Sequence, residues 1–158
     1  MSIQVGESIP SIEVSSGTPA DKFDIAEFCS GKKVLLFAVP GAFTPGCSLT
    51  HLPGYIQQAD TIKSKGVDEI ACISVNDAHV MREWGKAQGA DGKVKMIADA
   101  AGVFAKAIGL DVQSAGLGGL RSKRYSMLIE NGTVTKLNVE PGGFGLTCSL
   151  ATNIVNEL

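Results

Sequence analysis

The sequence predicts an α/β fold in which a central mixed sheet is flanked by helices on both faces, and three observations carry that expectation. Two short apolar runs, Val34 to Val39 and Ile70 to Val75, have the length and composition of strands buried on both faces. Helical-period stretches follow each run, so strand, helix, strand, helix makes the two strands parallel neighbours through a right-handed crossover. Asn131-Gly132, set between Arg124 to Ile129 and Val134 to Val139, is the strongest short hairpin signal and adds an antiparallel pair. With 158 residues, the chain is expected to form one domain, 1–158, whose core needs no disulfide or metal staple.

The elements follow in order. The opening stretch alternates apolar and polar residues up to Ile12-Glu13-Val14, and Ser15-Ser16-Gly17-Thr18-Pro19 then breaks it, which predicts a short strand or hairpin. Asp24 to Phe28 reads as a short helix with Gly31 as its stop. The helix begun at Thr44 is expected to run toward Gly66 with a kink near residues 49 to 53. Pro53 cannot donate to the Leu49 carbonyl, and its ring clashes with that turn. Asn76-Asp77 caps a helix carrying Val80, Met81 and Trp84 on one face. Met96 to Asp99 reads as a strand, Gly102 to Leu110 as a helix, and Ala115 to Leu120 as a flexible, partly apolar loop. Pro141-Gly142-Gly143-Phe144-Gly145 opens another loop before a closing helix over Ser149 to Leu158, with Leu150, Ile154 and Val155 inward.

Composition narrows the function. A net charge of −2 gives no electrostatic case for nucleic acid or an anionic membrane. The longest apolar run is too short to span a bilayer, and Met1-Ser2-Ile3-Gln4 does not begin as a secretory signal. The four cysteines, Cys29, Cys47, Cys72 and Cys148, are scattered and form no C-x-x-C, which favours a reducing compartment and offers neither a zinc ribbon nor a vicinal dithiol.

Residues Val39 to Cys47 hold the densest chemistry. A strand ends, glycine and proline turn the chain, Thr44 suits an N-cap and Pro45 the first helical position. Cys47 then falls at the third position of the helix, where unpartnered N–H groups and the helix dipole favour a thiolate. From this stretch alone, a buried and inert cysteine remains open. Cys29 has no activating neighbour and reads as structural. His51 follows Cys47 by four residues, which raises a Cys–His acyl-transfer dyad or a two-ligand metal site. Neither has its remaining parts in view, and structural hydrogen bonding is the expected role. His79 is expected to be solvated.

Pro40-Gly41-Ala42-Phe43-Thr44-Pro45-Gly46-Cys47 resembles the Pro-x-x-x-Thr-x-x-Cys active-site motif of the peroxiredoxins, and Ser48 to Tyr55 continues the likeness toward the atypical two-cysteine, type V subfamily of the type II group. Ser74 to Asp77, Arg121 to Met127, Leu137 to Pro141 and Gly145 to Ala151 match that subfamily in the same order. The resemblance implies a thioredoxin-like fold and a thiol-dependent peroxidase acting on hydrogen peroxide and alkyl hydroperoxides, with peroxynitrite a further candidate. It implies Cys47 as the peroxidatic nucleophile, Thr44 as the hydroxyl partner of thiolate and peroxide, and Arg124 as the cation that stabilises the sulfur and orients the peroxide. Pro40, Gly46, Leu117 and Leu120 would then line the pocket. Cys148 is implied as the resolving cysteine, closing an intramolecular disulfide that thioredoxin reopens. Cys72 is the competing resolver, disfavoured because it lies in a strand read as central to the sheet.

The same resemblance implies a homodimer and no metal or cofactor. A redox-sensing interaction protein that uses the same Cys47 oxidation is the alternative function. Cytoplasmic location is expected, with mitochondrial or peroxisomal location left open; Asn156-Glu157-Leu158 keeps only the last residue of a peroxisomal address.

Overall fold

The computed structural model describes residues 2–158, so Met1, part of the stretch weighed against a secretory signal, lies outside the described residues. The elements are β1 (Glu13–Ser16), β2 (Thr18–Asp24), α1 (Ile25–Cys29), β3 (Lys33–Ala38), a π-helical turn (Cys47–His51) running into α2 (Leu52–Ser64), β4 (Glu69–Ser74), α3 (Ala78–Gln88) and β5 (Lys95–Ala98). They continue with α4 (Val103–Ala107), β6 (Asp111–Ser114), β7 (Gly119–Ser122), β8 (Tyr125–Glu130), β9 (Thr133–Val139) and α5 (Ala151–Glu157). Seven strands form one sheet in the order β2-β1-β5-β4-β3-β8-β9. β3, β4 and β5 are parallel, as the crossover rule requires, and β8 and β9 are antiparallel.

Strand alternation sorts the core into two layers. Leu35 and Phe37 of β3 and Cys72 of β4 pack with α2, α3 and α5, through residues such as Tyr55, Trp84 and Ile154. Val34, Leu36 and Ala38 of β3, with Ala71 and Ile73 of β4, pack with α1 and α4 through Ile25 and Phe104. A period of two on a sheet buried on both faces therefore explains why these strands read as continuous apolar runs.

Local chemistry fixes the ends of several elements. Asp24 caps α1, its carboxylate accepting from the Ala26 N–H at 2.8 Å, and Asp77 caps α3 through the Val80 N–H at 2.9 Å. Asn131 and Gly132 take φ of 49° and 80°, the left-handed pair that a type I′ hairpin needs. The helix expected over Gly102 to Leu110 is shorter because Gly109, at φ 71°, ends it in a left-handed cap. The expected kink is a π-turn: the Leu52 N–H reaches back five residues to the Cys47 carbonyl immediately before Pro53. Two features differ from the sequence expectation. The stretch Thr18–Asp24 is an outer strand, and Ala115 to Leu120 is part of a β6–β7 hairpin with a tight helical turn at its tip instead of a free loop.

Register gathers the site beyond one end of the strands. Ala38 pairs with both Ile73 and Tyr125, and Tyr125 pairs with Val139. The residues just past these pairs, Val39, Ser74, Arg124 and Glu140, therefore emerge together. Ile154 is completely buried between α5 and the sheet, so Ile154→Ala should lower unfolding free energy by about 2–4 kcal/mol in urea denaturation. A loss below about 1 kcal/mol would mean that α5 is not held by that contact.

Candidate active site

The turn that delivers Cys47 is held from the neighbouring strand. The Ala42 N–H donates to Asn76 Oδ1 at 3.0 Å, and Ser74 Oγ lies 3.0 Å from the Val39 carbonyl and 2.6 Å from the same Asn76 oxygen. Phe43, more than half exposed, sits at φ 64°, a strained position for a bulky side chain. Thr44 occupies the expected helix-start position by its backbone, since its carbonyl accepts from the Ser48 N–H at 2.9 Å. Its side chain does not cap. Thr44 Oγ1 donates to the Gly41 carbonyl at 2.6 Å, which closes the turn and leaves lone pairs to accept a further proton.

Cys47 is completely buried, on the layer that contains Phe37, Tyr55 and Cys72. Pro40 and Gly41 are buried beside it in sequence. Gly46 explains itself: a Cβ there would meet Leu146 Cδ1 at 3.2 Å and Arg124 Nη2 at 3.3 Å. The absence of a side chain thus lets the guanidinium lie against the first turn of the helix that carries Cys47. Leu146 covers the same place and was not identified from sequence.

Arg124 is 4% exposed and makes no ion pair among the described residues. Its Nη1 donates to His51 Nδ1 at 3.0 Å, and its Nε has no partner. His51, fully buried, must then carry its proton on Nε2, which donates to the Ser149 carbonyl at 3.1 Å. Burial first, and the Arg124 charge second, push the His51 imidazole down to about 3, so it is neutral and serves Arg124 as an acceptor. The expected structural role of His51 holds, and its partner is the arginine. The ring also packs 5.0 Å from Phe37 and 5.5 Å from Tyr55, whose hydroxyl donates to the same Ser149 carbonyl at 2.6 Å.

The remaining cysteines differ in setting. Cys148 is partly buried, its thiol 3.4 Å from the Val139 carbonyl, and burial together with Glu140 raises it above the ordinary range. Cys72 pairs in register with Phe37 and is pushed well up by burial and by Cys47 nearby. Cys29 lies in the opposite layer and is pushed up to about 11 by burial. All four are free thiols. His79 is exposed, as expected.

Leu117 and Leu120 both lie on the β6–β7 hairpin, Leu117 in the turn at its tip and Leu120 in β7. Leu117 offers its carbonyl to Arg121 Nε at 3.0 Å and Nη2 at 2.7 Å, while the Leu120 side chain lies against Gly102. Arg121 also donates to the Val75 carbonyl at 2.7 Å and would meet a Cβ on Gly41 at 3.9 Å, so it ties the β6–β7 hairpin to the turn that leads to Cys47. Its place in the matched segment was the only sequence signal for this role. Trp84 likewise donates its buried indole N–H to Ser48 Oγ at 3.0 Å, beside Cys47.

The His51 geometry gives a pH test with a definite sign. A buried imidazole held at about 3 against an ordinary 6.5 binds fewer protons than the unfolded chain between those values. Its contribution is complete above pH 6.5 and is lost as pH falls toward 3, on the order of 2 kcal/mol by pH 5. Glutamine can donate to Ser149 and accept from Arg124 without titrating, so His51→Gln should lose about 2 kcal/mol less stability than wild type between pH 7 and pH 5, measured by urea unfolding. Equal losses would contradict the neutral assignment.

The chain matches known proteins over nearly its whole length. The Redoxin family profile matches residues 4–149. Peroxiredoxin-2C of Arabidopsis thaliana is 44% identical over 161 residues, covering 99% of this chain and 98% of that protein. Reduced Prx3 from Vibrio vulnificus, solved in complex with hydrogen peroxide, is 50% identical with a TM-score of 0.94 and 99% of each chain covered. Peroxiredoxin 5 from Alvinella pompejana is 39% identical, covers 99% of each chain and superposes with a TM-score of 0.85. The thioredoxin-like layering and these likenesses agree, and the chain belongs to the Redoxin family as a peroxiredoxin, a thiol-dependent peroxidase.

Proposed function

We propose that Cys47 is the peroxidatic nucleophile and that Arg124 and Thr44 bind the peroxide it attacks. The observation that carries this is Arg124: a buried guanidinium without a carboxylate, with one nitrogen on a neutral histidine, one unpartnered, and one against the turn that holds Cys47. A buried cation lacking an anion is costly, and the anionic sulfur and the departing peroxide oxygen supply the missing charge. The Cys47 sulfur attacks one peroxide oxygen, an S–O bond forms, the O–O bond breaks, and the leaving oxygen takes a proton and departs as water or an alcohol. Cys47 is left as sulfenic acid. Thr44, its proton committed to Gly41, accepts the hydrogen of the bound peroxide. Pro40 and Gly46 form the pocket wall and approach to Arg124, and the β6–β7 hairpin carrying Leu117 and Leu120 forms the rim that selects among hydrogen peroxide, alkyl hydroperoxides and peroxynitrite.

In the same proposal Cys148 resolves the sulfenic acid within one chain, and thioredoxin reduces the disulfide by thiol exchange. The π-turn under Cys47 and the irregular backbone around Cys148 support this pairing, since neither requires the sheet to break. Cys72 is the second reading, because it shares a packed layer with Cys47. The residues 1–158 act as one domain in the cytoplasm, and a homodimer covers the exposed apolar side chains Phe43, Leu49 and Phe144 near the site. The likeness to peroxiredoxins over nearly the whole chain favours sustained peroxide turnover over a sensing role.

The decisive measurement is NADPH-coupled peroxide turnover with thioredoxin and thioredoxin reductase. Cys47→Ser should abolish it, and retained activity there would end the proposal. Cys148→Ser should lose thioredoxin-supported turnover while still consuming one equivalent of peroxide, and Cys72→Ser should turn over normally; the reverse pattern would transfer resolution to Cys72. Arg124→Lys, which keeps charge but not the planar fork, should lower kcat/KM for peroxide about 100-fold. A loss under about fivefold would remove Arg124 from peroxide binding.

A further inference from the structure

Glu140 is the first residue past β9 and is 1% exposed. Its carboxylate accepts four hydrogen bonds, all from the two residues that flank Cys148. Thr147 donates through its N–H at 2.9 Å and Oγ1 at 2.6 Å, and Ser149 through its N–H at 2.8 Å and Oγ at 2.6 Å. Gly145 brings the loop so close that a Cβ there would lie 3.0 Å from Glu140 Oε1. On the far side, the Ser149 carbonyl is bound by His51 and Tyr55. The glycines at 142, 143 and 145 therefore do not leave this segment loose. It is fastened to β9 by an anion and to the reactive helix by a carbonyl.

We propose that Glu140 is a positioning residue for the resolving half-reaction, whose carboxylate clamps residues 147–149 and holds the Cys148 thiol against Val139 until the clamp opens. The proposal rests on the reading of Cys148 as the resolving cysteine. In that step the Cys148 sulfur attacks the sulfenic sulfur of Cys47, an S–S bond forms, the S–O bond breaks, and the departing hydroxide takes the Cys148 proton as water. While the clamp is closed, the sulfenic acid persists and a second peroxide can convert it to sulfinic acid, adding one S–O bond and breaking one O–O bond with loss of water or alcohol. Clamp strength thus sets how far the enzyme tolerates excess peroxide. Burial pushes the Glu140 carboxyl up, but the Ser149 and Thr147 hydrogen bonds outweigh it and hold the group at about 2, so neutral-range pH leaves the clamp charged.

Glu140→Gln replaces one acceptor oxygen by an amide that opposes the N–H and O–H donors. Thr147→Val removes one hydroxyl and keeps the carboxylate. After one equivalent of peroxide, quenched alkylation and peptide mapping should show the Cys47–Cys148 bond forming at least fivefold faster in Glu140→Gln and at least twofold faster in Thr147→Val. Cys148 in the reduced proteins should also alkylate faster by the same factors, and the sulfinic fraction at high peroxide should fall. A merely structural role for Glu140 would slow resolution. If Glu140→Gln does not fold, Thr147→Val decides alone. A Cys47–Cys148 bond that forms at the wild-type rate or slower overturns the proposal, whereas a wild-type bond mapped to Cys72 or between chains overturns the resolving assignment and the proposal with it.

Discussion

The antiparallel register between β3 and β8 is the constraint on which the site depends. With Ala38 opposite Tyr125, the arginine that begins the β8 approach must stand where β3 releases the turn that leads to Cys47. A slip of one residue would turn the alternating side chains of β8 to the wrong layers, exchanging Tyr125 and Met127 with Ser126 and Leu128. The hydrophobic sorting of two core layers and the aim of one guanidinium are therefore the same fact. β9 repeats the arrangement one strand further out, and Glu140 follows Val139 as Arg124 precedes Tyr125.

The polar groups at this end of the strands form a continuous set. Arg124 donates to His51, His51 to the Ser149 carbonyl, and the Ser149 N–H and hydroxyl donate to Glu140, whose own N–H donates to the Arg124 carbonyl at 3.0 Å. Such a ring is stable only while each member finds its partner, because an unpaired polar group in this interior costs about 1–3 kcal/mol. Four segments distant in sequence are thereby fixed relative to one another: the π-turn, the start of β8, the end of β9 and the approach to α5.

Much of this was legible from the chain. β3 and β4 were clear because a strand buried on both faces needs no alternation, and the hairpin was clear because Asn131-Gly132 supplies two left-handed residues. Pro53 announced an interruption, though not that the helix would absorb it as a π-turn. β2 left only a hairpin hint because its side chains are largely exposed and carry no apolar pattern, and β6–β7 was missed because its strands are short and half-buried and a glycine-rich tip joins them. Cys47, Thr44 and Arg124 were singled out by motif and segment order, but nothing in that pattern pointed to the Gly41 carbonyl as the partner of the Thr44 hydroxyl. Glu140 and Arg121 have no local signature, since a glutamate before Pro-Gly-Gly and an arginine in a basic segment both read as surface residues. Their roles exist only once non-local carbonyls, N–H groups and hydroxyls converge on them.

The division of the core into two layers has a consequence for sulfur chemistry. Cys47 and Cys72 lie on one side of the seven-stranded sheet and Cys29 on the other, with strands of interlocked backbone hydrogen bonds between them. A sulfenic acid or disulfide formed on the reactive side cannot be passed to Cys29 without opening that wall. The sheet is thus an insulator as well as a scaffold: it stands between the Cys47 and Cys72 sulfurs and that of Cys29, which belongs to the opposite core.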